Sequence, residues 1–171
     1  MSDDAPARAG DRARASLWVA VPPERAFAVF TEQIDQWWRQ GLKYRIGGRG
    51  RSVLHLEPRP GGRLFEAVDG DDAAQPPRVV QTGELTEWAP PHRLVLRWRG
   101  VDYAPGEQTR VQVDFAPQRD GTMVTVTHTG WADLPVDHPA RHGQAVAPFI
   151  ARVGLWWAGL LDGLRDHLGR R

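Results

Sequence analysis

Apolar and polar residues alternate over 94–98, 111–115 and 124–128, with Val95 the one apolar residue out of step. Further on, apolar residues recur at three- and four-residue steps through Phe149, Val153, Trp156, Trp157, Leu160, Leu164 and Leu168. The alternation predicts strands with one wet face and one buried face. The longer steps predict a helix of about six turns with a wide apolar stripe. Pro148 suits its first turn, where a missing N–H costs nothing. Upstream, 15–21 reads as a strand. Pro22-Pro23-Glu24 opens a short helix with Ala26, Phe27 and Phe30 on one side, since proline and glutamate both favour a helix start. A second short turn follows at 34–38. The stretch 42–46 reads as a weak strand, and 52–57, 63–68 and 79–88 as firmer ones. Turns are marked by Pro58-Arg59-Pro60-Gly61-Gly62, by Pro90-Pro91, and by Pro117 to Gly121, which closes a hairpin.

The order is therefore strand, helix pair, six or seven antiparallel strands, long helix. Hairpin-linked strands with segregated helices make an α+β fold. The inner face of the sheet and the stripe of the helix have to cover each other. The predicted organisation is one domain over 13–169, preceded by a small, polar tail over 1–12 expected to be disordered. No internal repeat is visible.

Composition narrows the function classes. The chain has 171 residues, enough for a core that needs no staples. A net charge of +1 offers no broad attraction to nucleic acid or anionic lipid. With no cysteine there are no disulfides and no thiolate nucleophiles or metal ligands. No apolar run is long enough to span a bilayer, and the acidic start lacks the features of a secretory signal, so a cytoplasmic location is expected. Lys43 is the only lysine beside many arginines, a bias of GC-rich bacterial genomes. The 8 tryptophans are the outlier, and point either to a core of large plates or to an aromatic-lined pocket.

Several segments are familiar. The run Ala20 to Phe27 followed by Trp37-Trp38 resembles the opening of the START and birch-pollen-allergen-like (SRPBCC) superfamily. Arg59-Pro60-Gly61-Gly62-Arg63, Gly83-Glu84-Leu85, Pro90 to Leu94, Gly121 to Trp131 and Trp157 to Leu164 are similar to the bacterial branch named for homologues of the activator of the heat-shock chaperone ATPase. The resemblance covers about residues 15–168. It implies a helix-grip fold, with a curved sheet around the last helix and a deep cavity between them. Relatives bind lipids, hormones or polyketides, and some catalyse cyclisation or hydrolysis. What carries over is the cavity wall, expected at Trp37, Phe65, Trp98, Phe115, His128, Trp131, Phe149, Val153 and Trp157.

Candidate chemistry begins with His128, which shares strand parity with Val124 and Val126 and is expected to face inward. Its imidazole could anchor a ligand or act as a general base, or it could be a core histidine with satisfied ring nitrogens. Glu66 and Glu87 share parity with Leu64 and Leu85, so both are expected to reach the cavity as acids unless a bulge reverses them or an arginine pairs them at the surface. His138 and His142, with Asp133 and Asp137, have a metal-like spacing but lack a third ligand, and read as loop histidines. Gly47 to Arg51 lacks the ending of a phosphate loop and reads as a hairpin at the cavity mouth. The expected function is binding of an apolar or aromatic small molecule, lipid- or polyketide-like, without cofactor or metal, by a monomer or homodimer. The alternatives are a cyclase, dehydratase or hydrolase using His128 with Glu66 or Glu87, and a module that stimulates a chaperone ATPase.

Overall fold

The first strand shows the logic of the whole sheet. In β1 (Arg12–Val19) Ala13, Ala15, Leu17 and Val19 are buried, and every residue between them is exposed. That period of two is what a sheet wetted on one side demands. The computed structural model describes residues 11–100, 102–135, 137–141 and 143–169. After β1 come α1 (Pro23–Glu32) and α2 (Ile34–Trp37). Six further strands follow: β2 (Ser52–Leu56), β3 (Arg63–Val68), β4 (Arg78–Ala89), β5 (Arg93–Trp98), β6 (Thr109–Gln118) and β7 (Gly121–Thr129). Two short 3-10 turns, at Trp131–Asp133 and Pro139–Arg141, lead to α3 (Val146–Gly169).

The strands form one antiparallel sheet in the order β1-β7-β6-β5-β4-β3-β2. Five of its six neighbouring pairs are sequential in the chain, and β1 closes the far edge against β7, pairing Arg12 with Thr129. The expected tail over 1–12 falls, for its first ten residues, outside the described residues; Asp11 is buried and accepts the Gly130 N–H. The sheet curls into a half-barrel around α3, the α+β helix-grip arrangement. On the inner face, Leu94, Leu96, Val111, Val113, Phe115, Val124 and Val126 are all buried. They meet Trp157, Leu160, Leu161 and Leu164 of α3, and Phe27, Phe30 and Trp37 of the two short helices.

Two local features differ from the sequence-based expectations. The segment 42–46 is not a strand. It is a run of turns held by Arg45, whose fully buried guanidinium donates to Asp35 Oδ1 at 2.6 Å and to the carbonyls of Asp35, Trp38 and Arg39. A buried cation with that many acceptors fixes backbone that no ladder could hold. The register of β4 against β5 also slips between Leu85 and Glu87, leaving Thr86 unpaired. The slip reverses the faces beyond it.

Candidate functional site

His128 lies on the inner face of β7 opposite Val111 and is 3% exposed. Both ring nitrogens are engaged. The indole N–H of Trp157 donates to Nδ1 at 3.1 Å, so Nε2 carries the ring proton and donates to Thr109 Oγ1 at 2.7 Å. Burial pushes the imidazole pKa from 6.5 down to about 3, which keeps the ring neutral. Around it the rings of Trp131, Trp98 and Trp157 stand at 4.4, 5.8 and 6.0 Å. Trp131 continues the stack to Phe149 at 4.9 Å, and Val153 packs beside both. A second aromatic group lies deeper, where Phe115 and Trp37 both touch Phe30, at 5.4 and 4.8 Å. Trp38 links it to Trp157 at 6.0 Å. The residues expected to line a wall are thus brought together, and their rings pack directly on one another between sheet and helix.

Two expected site residues fall elsewhere, and a third faces inward but is already hydrogen-bonded. Phe65 has the opposite parity to Leu64 and Glu66 and lies on the outer face, stacked on His55 at 4.9 Å beneath the Arg63 guanidinium. Glu87 pairs with Val95 after the slip at Thr86, so the bulge carries it to the outer face as well. Glu66 does point inward and is 3% exposed, yet its two oxygens accept the N–H groups of Ile46 and Gly47 at 2.9 Å each. That ties the glycine-rich turn to β3 and leaves the carboxylate no free role as an acid. His142 lies outside the described residues. His138 accepts the Ala140 N–H at Nδ1 and meets Glu107 at 3.0 Å through Nε2. Among the described residues no group of three or more His, Asp or Glu is placed to hold a metal.

The open volume lies at the end of the sheet, where β4 begins and β5 ends. A cleft of about 710 Å³ there is walled by Arg78, Val80, Thr82, Arg97, Arg99 and Tyr103. Its far side is a strap over 99–100 and 102–108, between β5 and β6. Arg99 folds the strap over itself, donating from Nε to the Glu107 carbonyl at 3.0 Å and from Nη2 to the Ala104 carbonyl at 2.9 Å. The Tyr103 hydroxyl lies beside Thr109, and burial raises its pKa to about 12. A line of side chains therefore runs inward from the cleft wall, Tyr103 to Thr109 to His128 to Trp157. The hairpin register could have revealed part of this: Gln118 opposite Gly121 sets Val111 opposite His128, and places Thr109 one step away on the same face. A second opening, of about 730 Å³, lies between α1 and the end of α3 at Val21, Val29, Gln33 and His167.

A curled antiparallel sheet gripping one long helix defines the helix-grip class of α+β proteins. The chain belongs to the family described as Activator of Hsp90 ATPase homolog 1-like protein, whose sequence profile matches residues 20–150. Similar solved structures include an HSP90 activator from Plasmodium falciparum, 20% identical with a TM-score of 0.61 over 93% of this chain and 96% of that one. The Aha1 dimer of Colwellia psychrerythraea is 17% identical, with a TM-score of 0.54 over 93% and 96% of the two chains. CalU16 from Micromonospora echinospora is also 17% identical, with a TM-score of 0.54 over 94% and 86%. At these identities the likeness is one of fold. No curated protein matches the chain. Among the described residues no helix is long and apolar enough to cross a membrane.

Proposed function

We propose that the protein binds a small molecule with an apolar or aromatic body, seated in the cleft between the start of β4, the end of β5 and the strap between β5 and β6. The observation that carries this reading is the position of Tyr103. It stands in the wall of an open cleft whose volume of about 710 Å³ is ligand-sized, beside Thr109, which hydrogen-bonds the buried His128. The space between sheet and α3, by contrast, is packed with the rings of Trp98, Phe115 and Trp157, which leaves the sheet end as the better seat.

Binding is favoured over catalysis for a chemical reason. A base needs a free lone pair, and the only one on the His128 imidazole already accepts the Trp157 N–H. Neither Glu66, spent on two backbone donors, nor Glu87, on the outer face, can complement it.

The test is a thermal-shift screen of lipids and aromatic polyketides, followed by amide chemical-shift mapping of any hit. The expected result is a stabilised protein with perturbations confined to 78–84 and 97–109, lost in Tyr103→Ala. Absence of any hit, or perturbations clustered on α1 and the end of α3, would sink the proposal.

A further inference from the structure

We infer that the cleft selects ligands carrying an anionic group, a carboxylate, phosphate or sulfonate, and that Arg99 is the residue that recognises it. The inference rests on the cleft being the ligand seat. Arg99 is half-buried in the wall, and its guanidinium is held by carbonyl oxygens: Glu107 at 3.0 Å, Ala104 at 2.9 Å and Tyr103 at 3.4 Å. No carboxylate lies within ion-pair distance of it among the described residues, and Nη1 makes no hydrogen bond there. Carbonyls orient a cation without neutralising it. The fork is thus already immobilised and still charged, which removes much of the ordering cost of binding an acid.

The surrounding charges reinforce it. Asp102, the acid nearest in sequence, makes no ion pair with Arg99 among the described residues, and the Glu107 carboxylate, though it feels the Arg99 charge, turns to the Ala104 N–H at 2.6 Å and to His138 at 3.0 Å. Arg97 is paired with Glu84 at 3.4 Å, whereas Arg78 has no ion pair among the described residues. Three arginines and one glutamate therefore line the cleft. Val80 and the Tyr103 ring supply the apolar part of the same wall. An acidic amphiphile matches both halves, with its acid at Arg99 and Arg78 and its body on Tyr103.

Two fluorescent probes that share an aromatic body isolate the charge: 8-anilinonaphthalene-1-sulfonate and neutral N-phenyl-1-naphthylamine. Each is titrated into the wild type, Arg99→Gln and Arg78→Gln, with amide shifts recorded to locate it. The expected result is that the sulfonate binds the wild type at least tenfold more tightly than the neutral probe. Both variants lose about tenfold or more for the sulfonate and keep their affinity for the neutral probe. Arg78 holds nothing among the described residues, so Arg78→Gln reads the charge without disturbing the strap. Equal wild-type affinity for the two probes, or parallel weakening of both in the variants, overturns the anion assignment while the cleft stands. Failure of both probes to shift residues 78–109 overturns the cleft as well.

Discussion

Trp157 on α3 and His128 on β7 are joined by a hydrogen bond in the middle of the core, indole N–H to imidazole Nδ1 at 3.1 Å. The contact does more than fill space. It chooses the tautomer, aims the remaining ring proton at Thr109, and fixes the helix against the sheet inside the core.

The first prediction concerns acid. The His128 pKa is lowered by burial to about 3 in the folded chain, against 6.5 when exposed. Between those values the unfolded chain holds the proton and the folded chain does not, so stability is complete above pH 6.5 and falls as pH drops towards 3. The slope from this residue is about 1.4 kcal/mol per pH unit. Urea unfolding at pH 7.5 and 5.0 should show the loss. His128→Phe should be less stable than the wild type at pH 7.5, because it leaves the Trp157 N–H donor and the Thr109 Oγ1 acceptor without their partner. It should also show a shallower decline to pH 5.0. Parallel declines in the two proteins would refute the assignment.

Arg45 tests whether the turn over 41–48 depends on one side chain. Its guanidinium is fully buried, while the Asp35 carboxylate beside it is 38% exposed and can be rehydrated. Removing the arginine therefore strands backbone carbonyls more than it strands a charge. Arg45→Met should cost about 3 kcal/mol, at the lower end of breaking a buried pair. Hydrogen exchange should accelerate over 41–52 while β6 and β7 stay protected. Unchanged exchange in the turn would show that the loop holds itself.

Glu66 gives a sharper chemical contrast. Both oxygens accept N–H groups, so Glu66→Gln sets an amide donor against the N–H of Ile46 or Gly47. The expected cost is about 1–3 kcal/mol, the range for a buried donor left unsatisfied. The Ile46 and Gly47 amides should exchange faster, and ligand affinity at the cleft should be unchanged. A glutamine variant as stable as the wild type would refute the anchoring role.

Much of this architecture was legible in the order of residues. Alternation of apolar and polar residues in β1, β6 and β7 set which side chains face inward, and His128 fell on the buried side as its parity required. What pattern could not supply were contacts between segments distant in sequence. Nothing local to Arg45 says that Asp35 and four carbonyls await it, and nothing local to Glu66 points to amides twenty residues earlier. The slip at Thr86 is equally invisible, because a bulge changes pairing without changing composition. Arg99 and Tyr103 escaped notice for a related reason: the groups that give them meaning are backbone atoms of their own strap and Thr109 on the next strand.

The last prediction sets two effects of one methyl group against each other. Gly163 lies inside α3, where alanine would ordinarily be worth about 1 kcal/mol in helix propensity. At this position, however, the added Cβ would stand 2.5 Å from the Trp37 carbonyl oxygen and 3.2 Å from Arg39 Cγ. The Arg39 side chain can move aside. The Trp37 carbonyl cannot, because the same residue is tied to α1 by its indole N–H on the Phe30 carbonyl at 3.0 Å. Overpacking against fixed backbone costs about 1–3 kcal/mol, so it should outweigh the propensity gain. Gly163→Ala should therefore lower the melting temperature. Gly169→Ala, on the same helix with nothing within 4 Å, provides the control and should be neutral or better. If both substitutions stabilise alike, α3 does not press on α2 as closely as the glycine implies.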